Sequence, residues 1–228
     1  NEVTIEETKS PLNVEIFSEQ FKWTIRYAGE DNELGKFDYK LTSEKNPLGL
    51  ITTKSIDFQL NTFESELQAM DSMALTAEVK AEFVDKLDKK RRFVRLLKQM
   101  REKHDSIVDR PALDDVIISD TMVLCVDQEY NFSFRSKDVI HSAYFPHFRA
   151  QMNTVPGMTT RLKFTPTETT ADRRKKEKDS DFEFWLICNK VCGKEHKKMK
   201  LIVRVVDARE YLDWLSRSEQ YMFKNQSF

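Results

Sequence analysis

The stretch FEFWLICNKVCGKEHKKMKLIVRVV, residues 182–206, decides how this chain is read. Its flanks, FEFWLI and LIVRVV, are apolar, rich in aromatic and β-branched residues, and each has the length of one strand. Between them Cys188, Cys192, His196 and Met199 fall at the spacing C-x-x-x-C-x-x-x-H-x-x-M. A loop of soft donors between two strands is a metal site built on a β frame. Taken with His141, just past the run YNFSFRS, the set Cys192, His196 and Met199 matches the thiolate, two imidazoles and weak thioether of a mononuclear copper site. Cys188 changes that chemistry, because two sulfurs of one loop can bridge two copper ions. His141 and His196 then supply one terminal imidazole each, while Met199 and a backbone carbonyl between the cysteines supply the weak axial contacts. Held in a rigid β frame, such a pair shares one electron with little change of geometry, which suits electron relay and not bond-making. A structural zinc module on two Cys and two His is the alternative, although it leaves Met199 unused. A thiol redox pair would favour C-x-x-C.

Other strand-forming runs lie upstream. VEIFSEQFKWTIRY, residues 14–27, alternates Phe21, Trp23 and Ile25 with polar residues, and residues 116–134 carry VIISDTMVLCV and YNFSFRS. With turn pairs at Asn46-Pro47 and Pro156-Gly157, these short strands predict a mainly β chain, an antiparallel sandwich or barrel forming one domain over 1–228. Cys125, in TMVLCVD, reads as a buried structural thiol.

The pattern changes in the middle. From about Phe63 to His104 there is no Gly or Pro, and Val79, Phe83, Leu87, Val94 and Leu97 fall near helical spacing, with Phe93, Leu96 and Met100 widening the stripe. With Thr76 as N-cap and Pro111 as stop, residues 60–112 are expected to be an inserted helical hairpin. Its run KLDKKRRFVR reads as a solvated face, with a docking patch as the sharper alternative. The segment 169–181, containing ADRRKKEKDSD, has no apolar periodicity and is expected to be an exposed charged loop.

Composition excludes several functions. The 37 Lys and Arg nearly balance 38 Asp and Glu, so no global basic character points to nucleic acid. No stretch approaches the ~20 apolar residues that span a bilayer, and the first residues lack a signal-peptide pattern. Three Cys rule out a disulfide scaffold. The charge is polarised: residues 1–44 carry net −5 and residues 188–228 net +4.

At these residues the chain resembles the soluble CuA domain of cytochrome c oxidase subunit II. The resemblance is carried by FKWTIRYAGEDN (21–32), KDVIHSAYFPHFRAQMNTVPGMTTRLKFTP (137–166) and CNKVCGKEHKKMKLIVRVV (188–206), and spans roughly 14–47, 115–168 and 182–215. The wording is similar to subunits II of Bacteroidetes-type oxidases that associate with alternative complex III. The resemblance implies a cupredoxin-like Greek-key barrel or sandwich at the periplasmic face of the bacterial inner membrane. It implies anchorage by N-terminal transmembrane helices that lie outside these 228 residues. It also implies passage of electrons from a cytochrome c donor to haem a of subunit I in a haem–copper oxidase, among the other oxidase subunits. His141, Cys188, Cys192, His196 and Met199 then ligate two copper ions, together with the backbone carbonyl of Lys190. The family usually has Glu at position 190, where it also holds magnesium or manganese, so Lys190 implies that this second metal site is absent or rebuilt. Phe21 stands where the family often has the Trp that receives the electron. Phe21 and Trp23 are therefore the expected receiving aromatics, although a core role for Trp23 is equally consistent. Glu30, Asp31, Glu33, Asp38 and Asp138 are the expected docking carboxylates, yet Lys137, Lys190, Lys194, Lys197 and Lys198 crowd the same region. The CuA domain of another oxidoreductase, such as a nitrous oxide reductase, is the runner-up. That family usually has an aromatic between the cysteines and a propeller domain.

Overall fold

The computed structural model describes residues 10–76 and 81–226. In chain order these form β1 (Leu12–Glu19), β2 (Lys22–Tyr27), α1 (Thr53–Thr76), α2 (Ala81–Lys103), a single turn α3 (Arg110–Leu113) and β3 (Val116–Ile118). There follow β4 (Thr121–Cys125), β5 (Tyr130–Ser136), β6 (His141–Phe145), β7 (Ala150–Thr154), β8 (Thr160–Phe164), α4 (Thr170–Glu177), β9 (Phe184–Cys188), β10 (Lys200–Val206) and α5 (Ala208–Arg217). Two compact units result, one from residues up to 34 and 114–225, the other spanning 35–113.

The first unit is a pair of five-stranded sheets, β3-β2-β1-β5-β8 and β4-β10-β9-β6-β7. Alternation builds it: on β5, Tyr130, Phe132 and Phe134 are fully buried while Asn131 and Ser133 are half-buried. These side chains meet Ile16, Ile25, Leu186 and Val203 in one core. The mainly β class is as expected, but the strands are not all antiparallel. β1 pairs with β5, and β4 with β10, in parallel. Parallel partners need a long crossover, and β1 and β5 are more than a hundred residues apart in sequence.

Register leaves charged groups on the opposite face of the first sheet. Glu15 lies across from Arg26, and both are 2% exposed. The Arg26 guanidinium donates to Glu15 at 2.9 Å and to Asp115 at 2.7 Å, and Arg135 donates to both Glu15 oxygens. Burial alone would raise the Glu15 pKa, but Arg26 and Arg135 outweigh it and hold the carboxyl at about 2.

The segment 169–181 is not a loop. Its central residues form α4, capped by the Thr169 hydroxyl, which accepts from the Asp172 N–H at 3.0 Å. Lys178 closes the helix with φ 54°. The helix has no apolar face to betray it, and its caps and ion pairs such as Arg174 with Glu183 define it instead. Cys125 is buried among Val123, Val206 and Tyr211, as a structural thiol should be.

In the second unit the helical run starts at Thr53, earlier than expected. Thr52 and Ser55 exchange side-chain to backbone bonds at 3.1 and 2.9 Å, a reciprocal cap that the apolar stripe does not announce. Thr76 ends α1 instead of capping α2, and Val79 lies outside the described residues. Leu87, Val94 and Leu97 are buried as the stripe predicts, whereas Leu96 is 40% exposed. Phe63 packs on Phe93 with ring centroids 4.8 Å apart. The basic run is a solvated face laced by pairs such as Arg91 with Asp71 at 2.7 Å and Lys89 with Asp85 at 2.7 Å. No helix among the described residues is long and apolar enough to cross a membrane.

Candidate metal centre

Three connections meet at one end of the sandwich. The antiparallel β1–β2 turn brings Gln20 and Phe21, the β5–β6 loop brings Asp138 to Ile140, and the β9–β10 loop brings residues 189–199. Hydrogen bonds tie them together. Gln20 N–H donates to Asp138 Oδ2 at 2.7 Å, and the Gln20 side-chain amide donates to the Cys192 carbonyl at 2.5 Å. The loop is also stitched to its own strands: Cys188 N–H donates to the Met199 carbonyl at 3.1 Å, and Asn189 N–H to the Ser142 carbonyl at 2.9 Å.

Within this frame the soft donors converge. Cys188 Sγ and Cys192 Sγ lie 3.8 Å apart as free thiols. Cys188 Sγ is 3.9 Å from His141 Nδ1 and donates to the Lys190 carbonyl at 3.2 Å. Cys192 Sγ is 3.6 Å from His196 Nδ1 and 3.9 Å from Met199 Sδ. All six expected ligand groups are therefore brought together. His141, Cys188, Cys192 and Met199 are buried, and His196 is half-buried. Ligand atoms of His141, Cys188 and Cys192 all fall within 4.8 Å of one another. Two sulfurs, two imidazoles, a thioether and a carbonyl so arranged suit a soft, low-coordinate metal, and copper fits this donor chemistry.

The surroundings orient these donors. His141 Nε2 meets Asp138 Oδ1 at 2.9 Å, which leaves Nδ1 facing the sulfurs. Burial would raise the Asp138 pKa, but its bonds with His141, Gln20 N–H and Val139 N–H bring it below the usual carboxylate range. Burial, with Cys188 beside it, pushes the Cys192 thiol up to about 11, so loading a metal must displace its proton. Trp23 is buried, with its ring edge 6.2 Å between centroids from His141 and its Nε1 donating to the Met199 carbonyl at a long 3.4 Å. Phe21 is half-buried over Gly193, where an added Cβ would lie 2.8 Å from the ring tip. Gly193 has φ 144°, a conformation that L side chains rarely adopt. Gly193→Ala should cost about 1–3 kcal/mol through that backbone strain, read as a lowered urea midpoint; an unchanged midpoint would show that the loop relaxes freely.

The expected docking carboxylates separate. Only Asp138 sits beside the cluster, and there it orients His141, a role signalled by a carboxylate three residues before the histidine. Glu30 and Asp31 belong to the opposite end of the sheet. The hairpin turn lies at the cysteine loop, and the chain after Tyr27 returns to the start of β1, where Asn32 accepts from Asn13 N–H at 2.8 Å. Asn13 is about 20 Å along the strand from Glu19. Glu33 follows on that same side and donates its N–H to Asp31. Asp38, in the second unit, pairs with Lys40 at 3.1 Å and caps the turn there. Gln20, which sequence reasoning missed, carries no signal, because its contact with Cys192 spans 172 residues.

Residues 94–206 match the family described as cytochrome c oxidase subunit II, periplasmic domain. The chain is 25% identical over 209 residues to the alternative cytochrome c oxidase subunit 2 of Bradyrhizobium diazoefficiens, covering 91% of this chain and 51% of that protein. It is 26% identical over 107 residues to cytochrome c oxidase subunit 2 of Thermostichus vulcanus, covering 46% of this chain and 28% of that one. The chain thus spans about half or less of the length of these curated relatives. A crystal structure of the periplasmic domain of subunit II of cytochrome oxidase from Bradyrhizobium japonicum aligns over 94% of this chain and 98% of its own, with 17% identity and a TM-score of 0.47. Residues 94–206, about half of the chain, are thus similar to the periplasmic domains of cytochrome c oxidase subunit II.

Proposed function

We propose that this chain is the electron-accepting domain of a haem–copper oxidase, at the periplasmic face of the bacterial inner membrane. It takes electrons one at a time from a cytochrome c and hands them to haem a of the catalytic subunit. The whole protein would be anchored by transmembrane helices and associated with further oxidase subunits, an alternative complex III among the candidate partners. The observation that carries this reading is the pair of thiols 3.8 Å apart, each with its own imidazole Nδ1 within 4 Å.

His141, Cys188, Cys192, His196, Met199 and the Lys190 carbonyl are the ligands in this reading. Two copper ions bound there supply one-electron acceptance and release without a change of ligands. The residues do the rest. Cys188 and Cys192 give up their thiol protons on loading and neutralise cationic charge. Asp138 keeps His141 Nε2 engaged, so that Nδ1 stays aimed at the site. The bond from Cys188 N–H to the Met199 carbonyl and that from the Gln20 amide to the Cys192 carbonyl hold the two cysteines in place between oxidation states, which keeps the reorganisation on electron transfer small. Phe21 and Trp23 form an aromatic path from the surface to His141. The exposed Lys190 ammonium is no ligand for magnesium, so the reading includes no second metal there.

The test is copper reconstitution followed by absorption and EPR spectroscopy. Two coppers per chain with a delocalised mixed-valence signal are expected; a single ion, or a colourless zinc protein, overturns the reading. Met199→Leu should keep both coppers and the fold, because the volume is conserved and the swap costs less than ~1.5 kcal/mol. Its redox potential should shift, since a weak thioether donor would tune a metal that the other residues hold. Voltammetry showing an unchanged potential would remove Met199 from the ligand set.

A further inference from the structure

The end of the sandwich that carries the cysteine loop has an apolar tip inside a basic rim. Val191, between the two cysteines, is 85% exposed, and Ile140 and Met158 on neighbouring connections are 43% and 59% exposed. The β7–β8 turn bearing Met158 reaches this end because Thr154 pairs with His141 and Pro156 bridges to Ser136. A lone exposed apolar residue needs no explanation, but three on converging loops at the mouth of a buried donor cluster mark a contact surface.

Charge says what fits it. Six lysines line this end: Lys22, Lys137, Lys190, Lys194, Lys197 and Lys198. The carboxylates nearest the cysteine loop are engaged. Glu19 is paired with Lys22 and Lys137, Glu195 with Lys198, and Asp138 accepts from Gln20 and Val139 N–H while meeting His141. Among the described residues, Lys190, Lys194 and Lys197 make no ion pair and are exposed. Glu30 and Asp31 stand at the far end of the strands, too remote to offset them.

We propose that this end docks an acidic electron-donor protein, a one-electron carrier whose redox group reaches the surface through an apolar patch ringed by carboxylates. The proposal rests on the electron-accepting role above and names the donor's chemistry. The donor loses one electron and the loaded chain gains one, with no bond made or broken and no proton moved. Val191, Ile140 and Met158 meet the donor's apolar patch, and the lysines steer its carboxylates. That steering raises the association rate chiefly at low salt.

The rim is tested first on the metal-free, isotope-labelled chain, with two paramagnetic probes of opposite sign. Hexacyanochromate(III) should broaden the amide signals of Val139, Ile140, Val191, Gly193 and Lys194, whereas hexaamminechromium(III) should spare them. Broadening of these signals by the cation instead overturns the proposal and leaves the electron-accepting role untouched. In the second arm, stopped-flow mixing follows reduction of the copper-loaded chain by an acidic and by a basic ferrocytochrome c of matched potential. At about 10 mM ionic strength the acidic donor should react roughly 10-fold faster or more, and the advantage should vanish near 1 M. Lys194→Glu with Lys197→Glu should slow the acidic donor about 10-fold and speed the basic one. A preference for the basic donor, or rates indifferent to salt, overturns the proposal alone. Refusal of electrons from both donors, with the copper spectrum intact, overturns the electron-accepting role and the proposal with it.

Discussion

Cys188→Ser should drop the copper content from two ions per chain to one or none and abolish the delocalised EPR signal. The reason is specific to this site. Both sulfurs would hold the metal pair, so losing one would leave the site short of a thiolate for both coppers. A serine hydroxyl keeps its proton at neutral pH and is a hard donor, which makes it a poor substitute for a thiolate toward copper. The fold should survive, because Cys188 and Ser are close in size. The new hydroxyl can also donate to the Lys190 carbonyl, which already accepts from the Cys188 thiol at 3.2 Å. Circular dichroism and urea unfolding should therefore match the parent closely while metal analysis and EPR change completely. Two coppers and an unaltered spectrum in this variant would mean that the ligand assignment is wrong.

Glu15→Gln should destabilise the first unit by about 3–5 kcal/mol, the range for removing one partner from a buried ion cluster. The Glu15 carboxylate is shared by two guanidiniums, with Arg26 on one side and Arg135 on the other. A neutral amide removes from both guanidiniums the charge that Glu15 supplies at their centre. The pH dependence carries the same signature. The Glu15 carboxyl is held at about 2 against its ordinary 4.5, so the folded state gains stability that is complete above 4.5 and is lost as pH falls towards 2. That difference corresponds to about 3 kcal/mol. Urea midpoints measured from pH 5 down to pH 2 should fall steeply in the parent and much less in the variant. Parallel curves, or a variant within about 0.5 kcal/mol of the parent at pH 7, would show that the cluster contributes little.

The metal loop was legible because its chemistry is local. Four of its side chains fall within twelve residues, and His141 is marked by the strand it follows. Strands rich in aromatic and β-branched residues were legible for the same reason. β7 and β8 were not: AQMNT and TRLKF keep partly exposed faces, so no apolar pattern rises above their polar residues. The parallel pairings are tertiary facts between distant segments, invisible to periodicity. The short helix at 170–177 was hidden because capping and ion pairs, not an apolar stripe, define it. The resemblance offers Glu30 and Asp31 as docking carboxylates, but a hairpin carries its ends away from its turn. Asp138 was named for docking, but its two oxygens are spent on His141 and the neighbouring backbone.

The knot of Gln20, Asp138 and Cys192 joins points 118 and 172 residues apart. A growing polypeptide therefore has no cradle for its sulfurs until the last strands have been made and both layers have closed. Before that moment the two thiols are loose, open to oxidation by air and to mispairing with any passing disulfide. Whatever delivers the ions during biogenesis must wait for a finished body and read its shape, since the bare peptide around the cysteines offers only half of the grip.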